Sequence, residues 1–246
     1  MDVRSWDFSK TWMYFQATTA GGVTEKFAEY AASLPKCKVF DFRGKTFDKG
    51  LLDKAVEENR FIVVDGTSLA GKTTFAKRVS EEYGINVVDI DEYCLKWLKE
   101  LMCLPLAKDQ ILKKLATFPK DAMIRLTNEL ESIVLSKSEG GKKAVILVGV
   151  FIYDMQRFVV LDKIGRHFSG VTSILLYEPY GILKARFDKR EERDFNSPGA
   201  EDSLAKIQKD HYVVSVMLSN PVSEGYLGIG ATESYVLDSK STKRLF

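Results

Sequence analysis

Gly66-Thr67-Ser68-Leu69-Ala70-Gly71-Lys72-Thr73 restricts this chain more than any other stretch. It is a turn with a glycine at each end, followed at once by lysine and threonine. Upstream, Phe61-Ile62-Val63-Val64-Asp65 is a short β-branched run suited to a strand buried on both faces. Downstream, Phe75, Ala76, Val79 and Tyr83 recur at three- and four-residue spacings, one apolar stripe on a helix over 73–83 that Gly84 stops. A strand, a G-x-x-x-x-G-K-[ST] turn and a helix, in that order, aim successive backbone N–H groups and the positive end of a helix dipole at one point, which suits a phosphate. At ordinary glycine usage a chain of this size meets the pattern by chance roughly once in a hundred, and the flanking strand and helix make a bare glycine turn rarer still.

The rest of the chain continues the alternation. Further apolar β-branched runs at 87–90, 144–150 and 173–177 predict strands, with another at 234–237, and helical pattern lies between them. Such alternation favours right-handed βαβ units and a parallel sheet covered on both faces, with ligands at the carboxyl ends of the strands. Between the second and third strands, Leu95, Leu98, Leu101 and Met102 form one helical stripe and Met123, Leu126, Leu130 and Val134 another, a helical insertion over 92–140. A leader, 1–58, carries its own signals: a helix near 24–34, a strand near 38–42 and a helix near 51–59. It is expected to pack as an extension on the edge of the main domain, 59–246.

Composition excludes several function classes. With 36 basic against 34 acidic side chains the net charge is +2, which supplies no electrostatic footprint for a duplex or an anionic membrane and counts against a nucleic-acid partner. The three cysteines, Cys37, Cys94 and Cys103, form no C-x-x-C pair, so neither a zinc site nor a disulfide framework is indicated. The longest apolar stretch, 144–153, has about half the length of a membrane span, and the first ten residues lack the pattern of a secretory signal. A protein of the cytoplasm, without a membrane partner, is expected. Its oligomeric state is left open.

Carboxylates and arginines supply the remaining chemistry. Asp89 and Asp91 stand at i and i+2 at the carboxyl end of the second strand, on one side of the chain if the strand persists that far. Asp91 is the candidate base, a carboxylate that orients an acceptor hydroxyl and takes its proton; the alternative is an N-cap for a helix from Glu92. Asp89 is placed to support a metal through water. Arg186, Arg190 and Arg193 follow the fourth strand at i, i+4 and i+7, aligned on one helical face where guanidinium groups can clamp phosphates. Asp188, Glu191, Glu192 and Asp194 are interleaved with them, the pattern of a solvated face. Asn196-Ser197-Pro198-Gly199 breaks the helix and reads as the hinge of a lid over about 186–200.

Other singled-out residues carry blander readings. His167 and His211, the only 2 histidines, lack metal-ligand spacing. Trp6, Trp12, Tyr14 and Phe15 read as packing. Tyr93 and Trp97 are placed either to stack on a planar acceptor or to bury a helix face, and Arg125 is a lesser candidate for reading a substrate phosphate.

Together the motifs resemble the P-loop small-molecule kinases, most closely the uridine kinase-like nucleoside kinases. The loop is similar to that family's G-x-S-x-S-G-K-T-T, Asp91-Glu92-Tyr93 to its strand-end Asp followed by an aromatic, and Arg190-x-x-Arg193-Asp194 to its R-x-x-R-D lid. The resemblance spans about 60–194. It implies a three-layer P-loop NTPase fold with a mainly parallel sheet, a helical insertion and an arginine lid. It also implies ATP and Mg²⁺ as cofactors, bound by Gly66, Thr67, Ser68, Ala70, Gly71, Lys72, Thr73, Thr74 and Arg186, with Thr73 and Asp89 on the metal. Asp91, Lys72, Arg190 and Arg193 then carry the transfer of a γ-phosphoryl group to a hydroxyl of a small molecule, a nucleoside or a nucleoside-like metabolite. Chloramphenicol phosphotransferases and zeta-toxin-type sugar-nucleotide kinases share these motifs and keep the acceptor open; a polynucleotide end kinase uses the same loop. One departure stands out: Val148 occupies the position before Gly149 where uridine kinases generally carry an acid. Asp89, Glu92 or Asp154 would then assist the metal, or the chain is a nucleotide-binding regulator without turnover.

Overall fold

All residues of β2 (Phe61–Gly66) are buried, and the alternation of its side chains gives the reason. Ile62 and Val64 enter one core with Phe75, Ala76 and Val79, while Phe61 and Val63 enter another with Leu130, Val134 and Leu161. A strand apolar on both sides needs a layer on each face. On one face those layers are α1 (Lys49–Glu57) and α2 (Lys72–Tyr83), and on the other α3 (Lys120–Lys137). The computed structural model describes residues 36–90, 120–149, 161–191, 200–219, 227–243 and 245.

Around β2 stands a sheet of six strands in the order β1-β6-β5-β2-β4-β3, with β1 at Val39–Asp41, β3 at Asn86–Asp89, β4 at Val145–Val148, β5 at Val171–Leu176 and β6 at Glu233–Leu237. All its ladders are parallel. From β2 the chain builds β3 and β4 to one side and β5 and β6 to the other, so the winding direction reverses at β2. A crevice opens at the carboxyl end of the strand where that reversal occurs, which is where the Gly66–Thr73 turn begins. α4 (Tyr180–Glu191) and α5 (Ala200–Ser219) complete the packing through Leu183, Phe187 and Ile207, and α6 (Ser239–Thr242) follows β6. This is a three-layer α/β fold with a parallel sheet covered by helices on both faces.

The strands expected near 61–65, 87–90, 144–150, 173–177 and 234–237 all have counterparts, with no end shifted by more than two residues. One shift matters: β3 ends at Asp89 and Ile90 is already helical, so strand alternation stops short of Asp91. Asp91 itself, most of the insertion and the hinge at 196–199 lie outside the described residues, as does the expected helix at 24–34. The leader's strand is the outermost of the sheet, paired Val39↔Ser234 to Asp41↔Val236. Its helix α1 starts at Asp48, whose carboxylate accepts from Gly50 N at 3.0 Å, and buries Leu52 and Ala55 in the same core as α2. Leader and main sheet thus share one apolar interior.

The amino end of the sheet is held by charge. Arg60, 5% exposed, pairs with Glu58 and, at 2.7 Å, with Glu233; Lys54 Nζ and the Tyr235 hydroxyl donate to the same Glu233 carboxylate at 3.0 and 2.6 Å. Burial alone would raise the Glu233 pKa, but hydrogen bonds from Tyr235, Lys54 and Arg60 outweigh it and hold the carboxyl below its ordinary 4.5. A depressed carboxyl contributes stability that is present above its unfolded pKa and lost as pH falls through the folded value. Glu233→Gln should therefore lower stability by roughly 1–3 kcal/mol at neutral pH, since it leaves Arg60 short of a charged partner. Urea denaturation should show the gap to wild type closing once the pH is well below 4.5; a gap that stays constant with pH would contradict the assignment.

Candidate nucleotide-binding site

The turn after β2 depends on a close approach. Gly66 pairs with Leu176 of β5 at φ +142°, and a Cβ there would lie 2.3 Å from the Leu176 carbonyl oxygen. Only glycine escapes both the forbidden dihedral and the clash. Its N–H donates to the buried Asp65 carboxylate at 2.6 Å. Beyond it, Ala70 N–H closes back on Thr67 O at 3.2 Å, Leu69 takes a left-handed φ of 65°, and Gly71 at φ 96° starts α2 without a side-chain cap. No acid occupies the helix's first turn. The helix dipole and the first N–H groups therefore meet neither a capping side chain nor an acid of the helix's own first turn, an arrangement suited to an incoming anion.

Lysine and threonine stand where that anion would lie. Lys72, 9% exposed, folds back over the loop so that Nζ donates to Thr67 O at 2.8 Å. Thr67 is itself buried, and its Oγ1 has no hydrogen-bond partner among the described residues; a buried hydroxyl left so calls for an explanation, and a bound ligand or water would provide one. Ala70 is buried and Ser68 half-buried, while Thr74 faces solvent. Thr73 Oγ1 donates to Asp89 Oδ2 at 3.2 Å, joining the start of α2 to the end of β3.

That contact bears on the apolar Val148. In the parallel register Val148 stands between Val64 of β2 and Asp89 of β3 and is buried in the core. The strand beside it presents a carboxylate at the same level, and that carboxylate reaches Thr73. A hydroxyl and a carboxylate brought together in this way fit Mg²⁺, which keeps several waters, takes one or two protein carboxylates and relies on phosphate oxygens for the rest. The described residues contain no cluster of three His, Cys, Asp or Glu that would cage a metal by protein alone.

The arginines divide. Arg186 Nη1 donates to Leu69 O at 2.8 Å, so its guanidinium packs on the loop between β2 and α2 itself. Arg190 is exposed in the last turn of α4. Lys184 and Asp188 pair across one turn at 2.8 Å. Arg193, Asp91, Glu92, Tyr93, Trp97 and Asp154 lie outside the described residues, as does the side chain of Arg125. Of the histidines, His167 pairs with Glu131 at 3.0 Å, and His211 stacks on Tyr177 with centroids 5.2 Å apart, burial pushing its imidazole pKa down. The left-handed Leu69 and the contact of Arg186 with its carbonyl had no sequence signal, since both depend on the folded loop.

No family model matches the chain, and no curated protein matches it. Solved structures similar to it include a gluconokinase from Sinorhizobium meliloti 1021, 17% identical with a TM-score of 0.42, covering 76% of this chain and 88% of that one. A sugar kinase from Janibacter sp. HTCC2649 is 19% identical with a TM-score of 0.43, covering 72% and 83%. A shikimate kinase from Acinetobacter baumannii is 18% identical with a TM-score of 0.39, covering 73% and 83%.

Two glycines separate close approach from dihedral freedom. Gly84 has φ +66° but nothing within 4 Å of an added Cβ, so Gly84→Ala should cost only about 1 kcal/mol. Gly66→Ala combines dihedral strain with a backbone clash and should cost about 3 kcal/mol or more. Denaturant unfolding of the two variants checks the contrast; equal losses would mean that the β2–β5 approach does not constrain the loop.

Proposed function

We propose that the chain is an ATP- and Mg²⁺-dependent kinase that transfers the γ-phosphoryl group to a hydroxyl of a small molecule, a nucleoside or nucleoside-like metabolite, in the cytoplasm. One observation carries the reading: an uncapped helix N-terminus at the end of a buried central strand, with Lys72 folded over it and Thr73 joined to Asp89. Backbone N–H groups at the start of α2, from Gly71 to Thr74, cradle the phosphates on the loop that Gly66, Thr67, Ser68 and Ala70 shape, and Lys72 turns from Thr67 O to the β- and γ-phosphates. Thr73 and Asp89 hold Mg²⁺, which when bound offsets charge on the phosphate oxygens. Asp91, two residues past Asp89, orients the acceptor and takes its proton as the acceptor oxygen bonds to the γ-phosphorus and the bond to the bridging oxygen breaks, ADP leaving with the electron pair. Arg190 and Arg193 close over the transferring group and exclude water. The near-neutral charge favours a small acceptor over a nucleic-acid end. Among the described residues no helix is long and apolar enough to cross a membrane.

A second reading rests on Val148. With an apolar residue where an acid is usual, the chain would be a regulator that binds nucleotide without turning it over, and the Thr73–Asp89 contact is the observation against it.

ADP release from ATP and Mg²⁺, measured across nucleosides, sugar nucleotides and aminocyclic or phenylpropanoid antibiotics, decides between the readings. Acceptor-dependent turnover should fall at least about 100-fold in Asp91→Asn, with ATP binding kept, and Asp89→Asn should raise the Mg²⁺ requirement about tenfold. ATP binding without turnover on any acceptor would favour the regulator, and near wild-type turnover by Asp91→Asn would remove that residue from the role of base.

A further inference from the structure

Leu69 is a non-glycine residue at φ 65°, a conformation that costs about 1 kcal/mol or more and persists only where its surroundings over-determine it. The peptide that follows it is pinned from both ends: Ala70 N–H donates to Thr67 O at 3.2 Å, and Leu69 O receives Arg186 Nη1 at 2.8 Å. Arg186 can serve Leu69 only if its guanidinium is held in plane. The other terminal nitrogen, Nη2, is held by Glu178 Oε1 at 3.0 Å.

Glu178 is 2% exposed, and its carboxylate is filled from two directions. Oε1 also accepts Ser239 N–H at 3.1 Å and Oε2 accepts Ser239 Oγ at 3.2 Å. Ser239 opens α6, whose N-cap Asp238 holds Ser241 N with one oxygen, at 2.8 Å, and Gly44 N of the leader with the other, at 2.9 Å. A line of hydrogen bonds, joined through the Asp238–Ser239 peptide, thus runs from the leader through the turn after β6 and Glu178 to the phosphate loop.

We infer that Glu178 and Arg186 are positioning residues for the phosphate loop: the buried carboxylate locks the guanidinium, and the locked guanidinium sets the Leu69 peptide and with it the direction of the N–H groups that follow. Arg186 then shapes the cradle from behind, whereas Arg190, exposed one turn on, is left for the ligand side. That the cradle serves the triphosphate of a nucleotide rests on the function proposed above; that Glu178 and Arg186 shape it does not.

The test separates the two. Amide hydrogen exchange over 68–71, in the absence of nucleotide, is compared for wild type, Glu178→Gln, Arg186→Met and the double variant, followed by calorimetric ATP titration with Mg²⁺. Loss of a charge-assisted hydrogen bond at this point should speed loop exchange about tenfold in each single variant. The double variant should be little worse than Arg186→Met, since the two act in series. ATP affinity should fall by a similar factor. Arg186→Lys should not rescue it, because an ammonium cannot span Leu69 and Glu178 with the fixed fork of a guanidinium. Arg186 is partly exposed, so Arg186→Met keeps the test open if Glu178→Gln fails to fold. Unchanged loop exchange in Arg186→Met, or additive effects in the double variant, would overturn the inference. Faster loop exchange in a chain whose wild type binds no ATP would uphold the positioning role and overturn the nucleotide reading instead.

Discussion

A side chain at position 66 would force β2 and β5 apart at their ends, and the loop that follows could not leave the sheet where it does. The approach of Gly66 to the Leu176 carbonyl is the constraint on which the site depends. It lets the central ladder run in register from Phe61↔Val171 to the last residue, and it delivers the chain into the loop at the point where the winding of the sheet reverses. The left-handed Leu69 and Gly71, the uncapped start of α2 and the inward fold of Lys72 all follow from that delivery. The loop is shaped by backbone geometry first and by side chains second.

Charge is divided between the two ends of the sheet. At the amino end, Arg60, Glu58, Glu233 and Lys54 satisfy one another and tie α1 to β6. At the carboxyl end the contacts surround the uncapped start of α2: Thr73 to Asp89, and Arg186 to Leu69 and Glu178. Contacts that link elements around an uncapped helix end are suited to a charged ligand, whereas a self-satisfied network mainly holds structure.

Much of this was legible from residue order. Glycine, lysine and threonine spacing located the loop, and β-branched runs located the strands, because both signals are local. The end of β3 was less legible: a strand and the first turn of a helix compete for the apolar Ile90 that follows Asp89, and helix takes it. The setting of Val148 was only partly legible: Asp89 was one of three acids that could stand in for the missing one, and only the parallel register shows Asp89 level with it. Glu178 carried no periodic or motif signal; its role arises from Ser239, 61 residues away, and from the loop. The leader's strand was readable as a strand, but that it extends the sheet beyond β6 depends on pairing no local pattern encodes.

The central claim is that the turn after β2 is a cradle for the phosphates of a magnesium nucleotide. Calorimetric titration of ATP into the wild-type chain and into Lys72→Ala, each with and without Mg²⁺, tests it most directly. The account predicts saturable binding by wild type that tightens with Mg²⁺, and a loss of about tenfold or more in Lys72→Ala from removal of one charge-assisted phosphate contact. Equal affinity in the two proteins, or no binding by wild type, would contradict it.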